Sequence, residues 1–187
     1  MTQYLTAALN KRNSDRTMDY SLDLHEFICQ GYINLAPNEY GKHVQEYISR
    51  RLDAINVKPS EERGDLMITA KYFEVKVSYL GQKNNSYNIT HIRQWQNLDY
   101  YLLCFVDCDN NFTPNFFVVK KKIMGIIKQS YMNGTPKSNR NNDNIEMRAT
   151  IKKYDTSYLI INNFNLLKDT TFESLQEFIS DLRKNRG

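Results

Sequence analysis

The chain predicts a mixed α/β (α+β) fold, a mixed β-sheet flanked by helices, on three observations. Phe73, Val75, Val77 and Tyr79 alternate with Glu74, Lys76 and Ser78, the period-two pattern of a strand with two unlike faces. Tyr100 to Val106 is a continuous apolar run of strand length, expected to be buried near the sheet centre. Val44, Ile48, Leu52 and Ile55 form one apolar stripe at helical spacing.

The elements follow in order. The first twenty residues are polar and predict an irregular start. Leu22 to Ile33 predicts a short helix and Tyr40 to Asn56 a second. Pro59 and the polar run Ser60 to Gly64 then break the chain. A β-hairpin comes next: Asp65 to Thr69, a turn near Ala70 to Tyr72, and Phe73 to Leu80. Gly81 to Ser86 is a polar loop, and Tyr87 to Gln96 fits either a strand or a short helix. Beyond the apolar strand, Asp107 to Asn111 turns the chain. Phe112 to Val119 predicts a strand, which Pro114 places near an edge or bulge.

Lys120 to Ser130 predicts a helix with Ile123, Met124 and Ile127 inward and its lysines outward. Tyr131 to Asn144 is polar and without apolar pattern, hence a loop. Ile145 to Lys152 and Tyr158 to Asn162 predict strands. Thr170-x-x-Glu173 resembles a capping box before a last helix whose Phe172, Leu175, Phe178, Ile179 and Leu182 share a face.

Length and composition narrow the class. A chain of 187 residues, 41% hydrophobic, can bury a sizeable core, which excludes general disorder and suits one domain spanning 1–187. No apolar stretch is long enough to span a bilayer, and residues 1–13 lack the layout of a secretory signal. Three cysteines are too few and oddly numbered for a disulfide framework. A soluble cytoplasmic protein without a membrane partner is the expectation. The formal charge is +4, but residues 1–64 balance at −1 while 65–130 carry +3 and 131–187 carry +2. A polyanion would be gripped mainly by the C-terminal two thirds.

Chemistry concentrates in Gly64-Asp65-Leu66-Met67-Ile68-Thr69-Ala70-Lys71-Tyr72-Phe73-Glu74-Val75-Lys76. Residues i and i+2 of a strand share a face, so Glu74 and Lys76 lie side by side, and a hairpin can bring Asp65 near them. Two adjacent carboxylates repel, and a hard cation such as Mg²⁺ relieves that repulsion by taking oxygens from both. A metal so held polarises a phosphoryl oxygen and acidifies water, while Lys76 can hold the water and offset charge on phosphorus. Phosphodiester hydrolysis needs these functions.

Asp, a spacer of eight, then Glu-x-Lys across a hairpin resembles the PD-(D/E)xK nuclease superfamily, with Gly64-Asp65 standing for the Pro-Asp pair. Within it the chain is most similar to a small type II restriction endonuclease. Supporting context is the segment Tyr87 to Gln96, then Asp99-Tyr100-Tyr101 and the apolar strand. The resemblance implies a restriction-endonuclease-like core over about residues 40–130, with residues 131–187 adding recognition loops, extra strands and a C-terminal helix.

The resemblance also implies roles. Asp65 and Glu74 would bind Mg²⁺, for which Mn²⁺ can substitute, and Lys76 would act on the attacking water. Double-stranded DNA would be the substrate, a homodimer the reader of a palindromic site, and a companion DNA methyltransferase the genomic neighbour. Members often add an acid from the preceding helix; Glu46 is the candidate, with Gln45 and Glu39 as alternatives. Glu46 as solvated helix surface fits equally well, since it projects away from the apolar stripe.

Candidate DNA contacts are Ser78 on the Glu74–Lys76 face and, after it, Arg93, Gln94 and Gln96, which could contact phosphates or stabilise the active site. Lys120 and Lys121 begin the basic helix. Lys137, Asn139, Arg140, Asn141, Asn142 and Asn144 form an Asn-rich loop whose residue types suit base edges. Trp95 is expected as a core or interface anchor rather than a stacking residue. Two alternatives stand beside this reading: a structure-specific repair or junction-resolving nuclease of the same fold, and a nonenzymatic nucleic-acid-binding module.

Overall fold

The computed structural model describes residues 17–58, 62–81, 83–93, 95–124, 137–138 and 145–185. Two helices come first, α1 (Leu24–Asn34) and α2 (Pro37–Arg51). The Asp23 carboxylate caps α1 by accepting the Glu26 N–H at 2.9 Å. Pro37 occupies the first turn of α2, and the Glu39 carboxylate accepts the Ala36 N–H at 3.2 Å. These signals begin the helix ahead of the expected Tyr40. It also ends early: Asp53 takes a φ of +47°, and Ile55–Asn56 depart as strand β1. Ile55 therefore leaves the apolar stripe and is 60% exposed, whereas Val44, Ile48 and Leu52 are buried.

Strands β2 (Leu66–Ile68) and β3 (Lys71–Tyr79) form the hairpin. Its turn is tighter than expected, only Thr69 and Ala70, both in the left-handed region. Strand β4 (Ser86–Arg93) resolves the open reading of the next segment in favour of a strand. β5 (Tyr100–Asp107) and β6 (Thr113–Lys120) complete a five-stranded sheet ordered β1-β2-β3-β5-β6. The β3–β5 pair is parallel and the other pairs antiparallel, so the sheet is mixed. β5 is interior and buried on both faces, which its unbroken apolar run requires. β6 is an edge strand, as Pro114 indicated, and later chain covers it. The Phe116 N–H donates to the Thr170 carbonyl (2.8 Å) and the Val118 N–H to the Asn165 side chain (3.0 Å).

β4 leaves this sheet. It pairs with β8 (Ile145–Lys152), which pairs in turn with β7 (Lys137–Ser138), as a second, three-stranded sheet. A 3₁₀ turn (Lys153–Asp155) leads into α3 (Thr156–Ile161), and α4 (Phe172–Lys184) closes the chain. The expected strand Tyr158 to Asn162 is thus helical. β8 ends at the Ser86–Lys152 pair, and the chain turns there through the 3₁₀ segment instead of running on beside another strand. Only Leu159 of α3 is buried, while Ile160 and Ile161 are 51% and 76% exposed. The last helix is capped one residue later than its sequence suggested: the Thr171 hydroxyl accepts the Ser174 N–H at 3.2 Å.

Two apolar cores share the large sheet. On one face α1, α2 and α4 pack on Phe73, Val75, Leu102, Cys104, Val106, Phe116 and Val118. On the other, β4, β8 and α3 pack on Leu103, Phe105, Phe117 and Val119. Each fully buried side chain of this size contributes roughly 1.5–3 kcal/mol. The basic helix expected from Lys120 is visible only as residues 121–124, where Met124 is buried as predicted. Residues 125–130 and most of the loop 131–144 lie outside the described residues. No helix among the described residues is long and apolar enough to cross a membrane.

Candidate active site

Asp65 immediately precedes β2, and its position depends on the residue before it. Gly64 has a φ of +82°, and a Cβ there would lie 2.6 Å from the Phe73 carbonyl oxygen. Only glycine fits both constraints. This close approach lets the Asp65 N–H donate to the Phe73 carbonyl (2.8 Å) while its carboxylate Oδ2 accepts the Val75 N–H (2.8 Å). Asp65 therefore brackets Glu74 from the neighbouring strand.

Glu74, Lys76 and Ser78 project from β3 toward the second sheet, opposite Phe73, Val75 and Tyr79 in the helix-covered core. Glu74 is only 4% exposed. Its Oε1 accepts from the Lys76 ammonium at 2.5 Å and its Oε2 from the Gln96 side-chain amide at 3.2 Å. A buried carboxylate needs such partners, because desolvation without them costs several kcal/mol. Gln96 is itself buried, and its Oε1 has no hydrogen-bond partner. The Lys121 ammonium donates to the Gln96 main-chain carbonyl and so holds the segment that carries this amide.

The carboxyl pair is electrostatically loaded. Burial, and then the negative charge of Glu74, push the Asp65 carboxyl up to about 6, against the opposing pull of the Val75 amide, Lys76 and Arg93. A hard cation fits this donor set. It would remove the repulsion between the two carboxylates, and an ordered water beside it would meet the unpartnered Gln96 Oε1. Among the described residues no cluster of three or more His, Cys, Asp or Glu forms a metal cage. Two carboxylates, with water and substrate oxygens supplying the remaining ligands, is the arrangement Mg²⁺ commonly accepts.

Of the residues singled out from sequence, the structure brings together Asp65, Glu74, Lys76, Gln96 and Arg93, with Lys121 behind them. Of the two roles open to Gln96, the structure supports the one within the site, since the buried side chain holds Glu74. Glu46 is placed elsewhere: its two oxygens accept from Arg50 (2.8 Å) and Asn56 (2.9 Å) on the helix-covered side. Glu39 is occupied as the α2 cap. Ser78 is buried, and its hydroxyl accepts the Asn88 N–H at 2.9 Å, joining β3 to β4 rather than facing solvent. Lys120 is exposed at the end of β6. Gln94, Asn139, Arg140, Asn141, Asn142 and Asn144 lie outside the described residues, as does the side chain of Lys137.

Two residues were missed. Tyr72 shares the Glu74 face two positions earlier, a relation the strand period already contained, and Arg63 meets its ring. Trp95, expected as a core or interface anchor, is not in the core: it is 36% exposed, next to Gln96. No protein-family model and no curated protein matches this chain, so the reading of the site rests on its geometry.

Proposed function

We propose that the chain is a Mg²⁺-dependent endonuclease of double-stranded DNA with a restriction-endonuclease-like core, cutting phosphodiester bonds to leave 5′-phosphate ends. One observation carries this reading: Asp65 beside the buried Glu74–Lys76 ion pair, on the face of the hairpin turned away from the helices. The mixed sheet and the preceding helices support it as the frame such a core uses.

Asp65 and Glu74 would hold the cation, which when bound polarises a phosphoryl oxygen and acidifies water. Glu74 keeps the Lys76 ammonium in place, and Gln96 keeps Glu74 in place. Lys76 retains N–H donors beyond the one given to Glu74, enough to orient a water in line with the scissile bond. Its charge also offsets the negative charge gathering on phosphorus. Water loses a proton as it attacks, the P–O3′ bond breaks, and the 3′ oxygen takes a proton. Sequence-specific cutting by a homodimer, with a companion methyltransferase protecting the same site, belongs to the same proposal.

Incubation with plasmid and long linear DNA in Mg²⁺ tests it. Discrete fragments are expected, and Lys76→Ala should bind DNA while its cleavage rate falls by about 10²-fold or more. Nicking only at branches would reassign the protein as a structure-specific nuclease. No cutting by well-folded protein in Mg²⁺ or Mn²⁺ would remove the nuclease reading.

A further inference from the structure

The margin of the carboxylate cluster carries two cation–aromatic pairs. Arg63 donates to the Tyr72 hydroxyl at 3.1 Å, with its guanidinium carbon 5.4 Å from the ring centroid. The Arg93 guanidinium lies 6.0 Å from the centroid of Trp95. Both pairs border the same site. Tyr72 precedes Glu74 by two residues on one face of β3, and Trp95 is adjacent to Gln96, whose amide holds Glu74. The Asn97 N–H donates to the Glu62 carbonyl (2.6 Å) and the Asp99 N–H to the Tyr72 carbonyl (2.9 Å), which ties the two arms together.

Two carboxylates by themselves repel a nucleic acid, and here Arg93 acts on Asp65 while the Trp95 and Tyr72–Arg63 groups lie on the segments that border the pair. Guanidinium groups suit phosphate oxygens, and an exposed ring suits the face of a base. A paired base inside a duplex shows no face. We propose that Trp95, with Arg93 beside it and the Tyr72–Arg63 pair on the neighbouring segment, stacks an unpaired or extruded base next to the scissile phosphate. This rests on the nuclease reading of the site and adds the state in which the substrate is held there.

Trp95 is the only tryptophan, so its fluorescence reports on this position alone. Wild-type protein with EDTA, to prevent cutting, is titrated with three labelled oligonucleotides: a 14-residue single strand, the same sequence as a perfect duplex, and that duplex with a central unpaired base. Binding is followed separately by anisotropy of the label. The expected result is quenching of Trp95 by bound DNA and about tenfold tighter binding of the two unpaired forms, because the cost of unstacking is already met. Trp95→Ala should weaken those two by about five- to a hundredfold, and Trp95→Phe should restore most of the loss.

Bound DNA with unchanged Trp95 emission overturns the proposal, as does equal affinity for paired and unpaired forms or an Ala variant of undiminished affinity. Any of those results with Mg²⁺-dependent cutting intact leaves the nuclease reading standing. No binding of any oligonucleotide by folded protein overturns the proposal, and the cutting assay in Mg²⁺ or Mn²⁺ then decides the nuclease reading by itself.

Discussion

Asp65 illustrates how a candidate site residue can oppose the fold that contains it. Its carboxyl is raised to about 6 by burial and by Glu74, so the ionised form is less favourable in the folded chain than in the unfolded one. Between roughly pH 4 and pH 6 the folded state holds the extra proton, and stability falls as pH rises through that window, by up to about 3 kcal/mol. Asp65→Asn keeps an oxygen for the Val75 N–H and removes the charge. Urea unfolding at pH 7.5 should find the variant more stable than wild type by about 1–3 kcal/mol, with the gap closing toward pH 4. Mg²⁺ should raise the melting temperature of wild type and leave that of the variant unmoved. A variant no more stable than wild type at pH 7.5 would show that the repulsion is absent. Gly64 is the complementary case: its substitution by Ala forces a Cβ against the Phe73 carbonyl, so both folding and cleavage should suffer.

At the scale of elements, the hairpin sets the register that makes the site. Its two turn residues, Thr69 and Ala70, adopt φ values of 51° and 58°, the mirror-image turn that usually calls for Asn-Gly. An L-residue in that region carries a penalty of about 1–2 kcal/mol, part of which a glycine gives back through its looser unfolded chain. Ala70→Gly should therefore raise stability by up to about 1 kcal/mol in thermal unfolding, with cleavage unchanged. The period-two alternation of β3 was legible because each face of that strand meets a different environment. The helical state of residues 156–161 was not legible. Their β-branched and aromatic content suits a strand, yet a strand needs a neighbour, and the 3₁₀ turn at Lys153–Asp155 leads the chain into a helix with only Leu159 buried. The α2 boundaries were blurred for a related reason: the apolar stripe continues to Ile55, and only the left-handed turn at Asp53 shows that the helix has ended.

Across the whole molecule, the sandwiching of one sheet between helices and a second sheet explains why the site is buried rather than solvated. Glu74 and Lys76 share one face of their strand, and the tertiary structure buries that face enough to leave Glu74 only 4% exposed. Ser78 joins β3 to the second sheet. Ser78→Ala removes the acceptor of the Asn88 N–H and should cost about 1 kcal/mol of stability in urea unfolding. Its cleavage rate at saturating DNA should stay within about twofold, whereas a DNA-contact role predicts a weaker salt dependence of binding instead. Local pattern was enough to determine the mixed α/β class, the hairpin, the buried strand β5 and the proximity of Asp65 to Glu74 and Lys76, because each follows from spacing within about a dozen residues. Only the tertiary structure decided that Gln96 and Arg93 join them, that Glu46 and Ser78 do not, and that Trp95 stands at the margin. Those outcomes depend on which strand leaves the large sheet and where it lands, a choice made by long-range pairing and two-sided burial rather than by any single segment.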